Sequence, residues 1–274
     1  MQRSVIRFNQ KMTFTILMFL FILPLVLTAQ QKRERIVIGE KITLRSEILG
    51  EERTLSIYLP SEYENSEKSF PVLYLLDGEW HFHHVTGILQ FFEFSKKDIQ
   101  MIVVAVVNTH RGRDFSPSTW PGYKTYTGGA DNFNLFLEKE LIPFVQQNYR
   151  TTPYKVLTGH SLAGTFTLYS FLSRPELFDA YISLSPCLFW HDRFMLKTAE
   201  KFLKTQRNLN KILYIAHEYK EGIQVSTMEE FTTALNSRSP EGLVWTSRFK
   251  EKDDHFSYVH KAIYEGLEFI FNKK

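Results

Sequence analysis

The sequence predicts an α/β fold: one domain on a mostly parallel central sheet, with helices on both faces and an antiparallel hairpin at its N-terminal edge. Three observations carry this. Short runs rich in Val, Ile and Leu recur along the chain, as in strands buried on both faces. Segments of helical periodicity separate them. No repeat, low-complexity tract or Pro/Gly/Ser linker interrupts residues 30–274, a length ordinary for one domain of this class.

Residues 1–29 stand apart from that domain. Arg3, Arg7 and Lys11 precede an apolar run from Ile16 to Leu27, which ends in Thr28-Ala29-Gln30, the layout of a cleavable secretory signal peptide. The run is shorter than a membrane span requires and Pro24 interrupts it. The expectation is an exported protein, periplasmic or extracellular, free of the membrane after cleavage. Of the 33 basic and 30 acidic residues, three basic ones and no acidic ones lie in this leader, so the remainder balances at 30 of each. A neutral chain without a basic block offers no electrostatic case for binding nucleic acid or an anionic membrane. Cys187 is the single cysteine, which rules out an internal disulfide or a thiolate metal cluster. Just past a buried strand, it reads as core filler rather than as a nucleophile.

Ile36 to Arg45 and Arg53 to Leu59 alternate as half-buried antiparallel strands do, with Leu55, Ile57 and Leu59 on one face; together they form the edge hairpin. Further strands follow at Val72 to Leu76, Ile102 to Val107, Tyr154 to Thr158, Ala180 to Leu184, Ile212 to Ala216 and Leu243 to Phe249. The helices between and after them are His83 to Phe94, Asn132 to Tyr149, Leu162 to Leu172, Arg193 to Gln206, Thr227 to Ser237 and His255 to Phe271. This alternation implies βαβ units and right-handed crossovers. The longest irregular stretch, Asn108 to Ala130, carries Arg111, Arg113, Trp120, Tyr123 and Tyr126. It follows a strand end, where open α/β sheets bind ligands, and is a candidate substrate wall.

Gly159-His160-Ser161-Leu162-Ala163-Gly164 joins a strand to a helix and places Ser161 at a tight turn flanked by small residues. A serine hydroxyl attacks a carbonyl only when a base takes its proton. At a helix N-terminus, the unpaired N–H of Leu162 is placed to receive the negative oxygen of a tetrahedral intermediate. The candidate base is His255, downstream of the last strand; His260 and His217 are weaker candidates. The acid that orients it belongs on the loop after Ile212 to Ala216, where Glu221 is preferred over Glu218 because Gly222 allows a sharp turn; a dyad without an acid is the third option. Asp77-Gly78-Glu79-Trp80 follows the strand that ends at Leu76 and supplies the second oxyanion donor, the Glu79 N–H, with Trp80 beside it. His81-Phe82-His83-His84 lacks the spacing of a zinc site, and serine chemistry calls for no metal or cofactor.

Several motifs together resemble an esterase branch of the α/β-hydrolases that includes enterobactin-type siderophore esterases, feruloyl and acetylxylan esterases and S-formylglutathione hydrolase. The resemblance spans roughly residues 36–272. It rests on Leu75-Leu76-Asp77-Gly78-Glu79-Trp80, Phe82-His83-His84-Val85-Thr86-Gly87, Asn108-Thr109-His110-Arg111-Gly112-Arg113-Asp114, the Ser161 turn, and His255 before Tyr264-Glu265-Gly266-Leu267. It implies an α/β-hydrolase fold and ester hydrolysis through an acyl-enzyme, with Ser161 as nucleophile, His255 as base, and Glu79 and Leu162 as oxyanion donors. Arg111 or Arg113 then corresponds to an arginine that binds an anionic or catecholate substrate. The partner it implies is a small-molecule or glycan-linked ester, such as a siderophore lactone or a hydroxycinnamoyl or acetyl ester. An acyltransferase shares the same machinery, and a binding module that keeps the fold without catalysis is the reading from a different class.

Overall fold

The computed structural model describes residues 33–95, 97–123 and 126–273. The signal peptide expected over residues 1–29 lies outside the described residues. In chain order the elements are β1 (Glu40–Ser46), β2 (Glu51–Tyr58), β3 (Phe70–Leu75), α1 (Gly78–Phe94), β4 (Ile102–Val106), α2 (Arg111–Phe115) and α3 (Ala130–Phe136). A π-helical turn (Leu137–Leu141), α4 (Ile142–Asn148), β5 (Thr151–His160), α5 (Leu162–Ser173), β6 (Ala180–Leu184) and α6 (Trp190–Thr205) come next. The chain continues through β7 (Ile212–His217), α7 (Ile223–Arg238), β8 (Val244–Phe249) and α8 (Val259–Phe271).

The strands form one eight-stranded sheet in the order β1-β2-β4-β3-β5-β6-β7-β8. β1 and β2 pair antiparallel from Glu40 opposite Ile57 to Ser46 opposite Glu51, and β2 pairs antiparallel with β4. Every pairing from β4 through β3 to β8 is parallel. The expected hairpin therefore stands at one edge, as the alternation required.

Period-two patterning sorts the core into two layers. Along β3, Val72 and Tyr74 point to one cluster while Leu73 and Leu75 point to the other. Phe133, Phe166, Phe202 and Phe231 from α3, α5, α6 and α7 fill the first layer. Val85, Leu89 and Phe92 of α1 meet Ile263, Leu267 and Ile270 of α8 in the second. α5 is buried on every side from Leu162 to Leu172, so the helix that begins at Ser161 is held by packing all around it.

Four of the boundaries that shift have a local physical cause. α1 starts at Gly78, five residues before the periodic pattern begins, because Asp77 takes a left-handed conformation (φ 53°) and turns the chain directly from strand into helix. The segment predicted as one helix over Asn132 to Tyr149 changes pitch at the π turn, where the Ile142 N–H reaches back to Leu137 O. Pro143 follows and offers no N–H to continue the α-helical ladder. α6 becomes regular only after His191, Asp192 and Arg193, which have positive φ values. α8 begins at Val259 rather than His255, since Asp254 Oδ1 accepts the Phe256 and Ser257 N–H groups, each at 2.9 Å, and winds that segment into a separate turn.

Candidate active site

β5 delivers Ser161 at φ 60°, ψ −121°, a conformation that non-glycine residues rarely adopt, and α5 starts at the next residue. The Ser161 N–H donates to Leu184 O at 2.9 Å, and Ser161 O accepts the Thr165 N–H at 2.8 Å, which locks the turn between β6 and the first helical turn. Space dictates the small residues. A Cβ on Gly164 would lie 2.1 Å from Leu184 O, and one on Gly159 would lie 2.5 Å from Ala163 O. The methyl of Ala163 points into the gap that Gly159 leaves, so one glycine and one alanine suffice there. Gly164→Ala is expected to cost about 3 kcal/mol, because the clash is with backbone and not with a side chain that can swing away. A urea titration of the variant measures it.

His255 sits in the turn before α8, and its Nδ1 lies 2.6 Å from Glu218 Oε1. Glu218 follows the last residue of β7 and is almost fully buried. Its other oxygen accepts the hydroxyl of Ser185. A hydroxyl has one proton, so the Tyr258 hydroxyl, which also meets Ser185 Oγ, is the donor in that contact. Burial alone pushes the Glu218 carboxyl up, but the hydrogen bonds from His255 and Ser185 outweigh it and hold the group below the usual carboxylate range. An ionised Glu218 keeps the proton of a neutral His255 on Nδ1 and leaves Nε2 as the free base. The preference for Glu221 is thus corrected. Glu221 is exposed, and Gly222 (φ 79°) turns the chain into α7 rather than turning the carboxylate inward.

Ser161 and His255 line a cavity of about 710 Å³ together with Trp80, His81, His84, Arg111 and Phe256. They also line a second, smaller cavity of about 410 Å³, walled by Trp120, Tyr123, Trp190, Tyr219 and Cys187. Trp120, Tyr123 and Trp190 pack ring against ring at 4.9 to 5.6 Å. Burial pushes the Cys187 thiol up to about 12, which keeps it a neutral wall residue.

The Glu79 N–H is the second of α1 and has no intrahelical acceptor, as the first donors of any helix do not. Its carboxylate accepts the Asn108 side-chain amide at 2.7 Å and the Asn108 N–H at 3.1 Å. Gly78 is needed because a Cβ there would come within 3.0 Å of the Ala105 and Val106 backbone. The Leu162 N–H is the first of α5 and directly follows Ser161. Trp80 is 60% exposed and forms an outer wall of the larger cavity.

The two arginines part company. Arg111 reaches the larger cavity. Arg113 does not, and its expected role in substrate binding is corrected: its Nη2 pairs with Glu51 at 2.6 Å and its Nε with Asp114 at 2.7 Å. The physical reason lies in Arg53, which is fully buried on β2 between Glu51 (2.8 Å) and Asp114 (2.7 Å). Two carboxylates around one buried guanidinium call for a second cation, and Arg113 supplies it.

The model of the family described as "Putative esterase" matches residues 46–263. The chain belongs to this esterase family. The ferri-bacillibactin esterase BesA of Bacillus subtilis is 28% identical over 170 residues, which are 53% of this chain and 57% of that one. The siderophore triacetylfusarinine C esterase of Aspergillus fumigatus is 27% identical over 192 residues, 65% and 63% of the two chains. The matches thus span about three fifths of the length of each of these relatives. Among solved structures, an IroE-like serine hydrolase from Shewanella oneidensis superposes with a TM-score of 0.80 at 28% identity, covering 85% of this chain and 80% of that one. The expected α/β-hydrolase fold is therefore the fold of this chain.

Sequence reasoning passed over Ser185, Tyr258, Trp190 and Phe256. Ser185 carried a signal, since it stands directly between the buried β6 and Pro186; the structure gives it φ 46°. Tyr258 stands three residues after His255, close enough to fold back on the same carboxylate.

The histidines around the serine make the fold acid-sensitive. His160 is 3% exposed, with its ring 4.5 Å from that of His255. Burial, followed by the charges of His255 and His81, pushes it down to about 3, and burial with His81 pushes His84 down to about 4. The unfolded chain takes up these protons near 6.5, where the folded chain does not. Stability is therefore full above that pH and lost as pH falls toward the folded values. The urea midpoint is expected to decline from about pH 7 to about pH 4, and His160→Gln to flatten part of the decline.

Proposed function

We propose that this chain is an exported serine carboxylic-ester hydrolase that works through an acyl-enzyme. One observation supports it most: Ser161, in the strained turn at the head of α5, shares a cavity with a histidine whose far nitrogen is 2.6 Å from a buried carboxylate. In this reading the Ser161 Oγ attacks the ester carbonyl while His255 Nε2 takes its proton. The oxygen that becomes negative is met by the N–H groups of Glu79 and Leu162. The carbonyl re-forms, the C–O bond to the alcohol breaks, and His255 hands its proton to the departing oxygen. Water then repeats the sequence against the acyl-serine, with His255 again as base, and releases the acid. Glu218 stabilises the imidazolium in both halves.

The substrate class we propose is a siderophore lactone or a hydroxycinnamoyl or acetyl ester, including esters carried on a glycan. The activities for which the siderophore esterase relatives are named and the aromatic walls on both sides of Ser161 support it. Export rests on the leader sequence alone. The test is steady-state hydrolysis of short p-nitrophenyl esters, followed by a panel of catecholate trilactones, methyl ferulate and acetylated xylan. Turnover of p-nitrophenyl butyrate with a marked preference within the panel is expected. A folded protein that hydrolyses none of them overturns the proposal.

A further inference from the structure

Arg111 reaches the substrate cavity, yet most of its guanidinium is already engaged. Nε donates to Asp77 Oδ1 at 2.7 Å and Nη2 to Asp77 Oδ2 at 2.9 Å, a bidentate pair with a buried carboxylate. Nη2 also donates to His160 O at 3.2 Å. The Arg111 guanidinium carbon stands 5.3 Å from the Trp80 ring centroid and 5.9 Å from that of Phe115, so aromatic faces hold the group in place.

These contacts join the two halves of the oxyanion site. Asp77 is the left-handed residue that starts α1, and hence sets where the Glu79 N–H points. Asn108 braces the same corner, with its amide shared between Asp77 Oδ1 and Glu79 Oε1 at 2.7 Å each. On the other side, His160 O belongs to the peptide unit whose N–H is that of Ser161. That N–H is bound to Leu184 O at 2.9 Å. The peptide between His160 and Ser161 is thus clamped at both ends, by Arg111 on its oxygen and by β6 on its nitrogen. The clamp fixes the unusual φ of Ser161 and the start of α5, where the Leu162 N–H lies.

We infer that Arg111 is a positioning residue that latches the α1 oxyanion corner to the nucleophile turn, rather than a group that recognises a charged substrate. This rests on Ser161 being the nucleophile. Oxyanion donors act only when held in place before charge develops on the substrate. Loosening the latch therefore weakens binding of a tetrahedral species more than binding of the ester. Lysine cannot replace the arginine, because one ammonium cannot span both carboxylate oxygens and the His160 carbonyl.

The test uses an uncharged ester, p-nitrophenyl butyrate, and phenylboronic acid, which adds to a nucleophilic serine as a tetrahedral anion. Arg111→Lys is expected to lower kcat and boronate affinity together by about 10- to 100-fold, with KM changed by less than about threefold. Asn108→Ala, which loosens the same corner while leaving the Arg111–Asp77 pair, is expected to lower the same two quantities by about 3- to 10-fold. Circular dichroism establishes that each variant is folded. Unchanged kcat and boronate affinity in folded Arg111→Lys overturn the inference, since a residue that only binds charged substrates has no effect on an uncharged ester. If Arg111→Lys does not fold, unchanged values for Asn108→Ala overturn it instead. A wild type without esterase activity overturns the proposed function and this inference with it. An active wild type that loses its rate in Ser161→Ala leaves the proposed function standing, whatever Arg111 does.

Discussion

Ser161→Ala is expected to lower kcat for p-nitrophenyl butyrate by about 10⁴- to 10⁶-fold and to leave the fold intact. The size follows from removing the atom that forms the covalent intermediate in the proposed mechanism. What survives is the smaller rate enhancement that the oxyanion donors and binding supply without it. The fold survives because the turn is held through backbone, by the Ser161 N–H on Leu184 O and the Thr165 N–H on Ser161 O. Alanine keeps both bonds, and the urea midpoint should stay close to that of wild type. Stopped assays at high enzyme concentration measure the residual rate.

Glu218→Gln is expected to lower kcat by about 10⁴-fold, whereas Glu221→Gln leaves it within about twofold. A glutamine at 218 keeps the shape but loses the charge. Its amide offers N–H to a histidine nitrogen that needs an acceptor, which favours the tautomer with the proton on the wrong side. It also cannot stabilise the imidazolium that forms as the serine loses its proton. The Ser185 hydroxyl holds the carboxylate ionised, and Tyr258 backs that hydroxyl, so the loss in Glu218→Gln is one of charge within a fixed frame. Glu221, on the exposed side of Gly222, touches none of this. Parallel kcat measurements on the two variants decide between the two glutamates. Equal losses, or a loss at Glu221 alone, overturn the assignment of Glu218.

The sheet was legible because its strands bury both faces, and runs such as Ile102 to Val107 have few other homes. Ser161 was legible because the small residues around it answer to distances of 2.1 and 2.5 Å, which no larger side chain meets. The acid was not. Glu218 and Glu221 lie three residues apart, and the choice depends on whether the end of β7 aims the first inward before Gly222 turns the chain, a matter of tertiary packing. The arginines were equally opaque: Arg111 and Arg113 share one short motif, but Arg113 is drawn away by Arg53, sixty residues earlier, whose burial between two carboxylates no local pattern reveals. The start of α8 was misplaced because His255 fits the helical period, while Asp254 uses the next two N–H groups in a turn of its own.

The central claim is that Ser161 carries the acyl group between the two halves of the reaction. The most direct measurement is mass spectrometry of protein quenched in acid during turnover of p-nitrophenyl butyrate, with peptide mapping of the adduct. The account predicts one butyryl group on the peptide that contains Ser161, and none in Ser161→Ala. An adduct on any other residue, or full activity with no adduct under conditions where deacylation limits the rate, contradicts it.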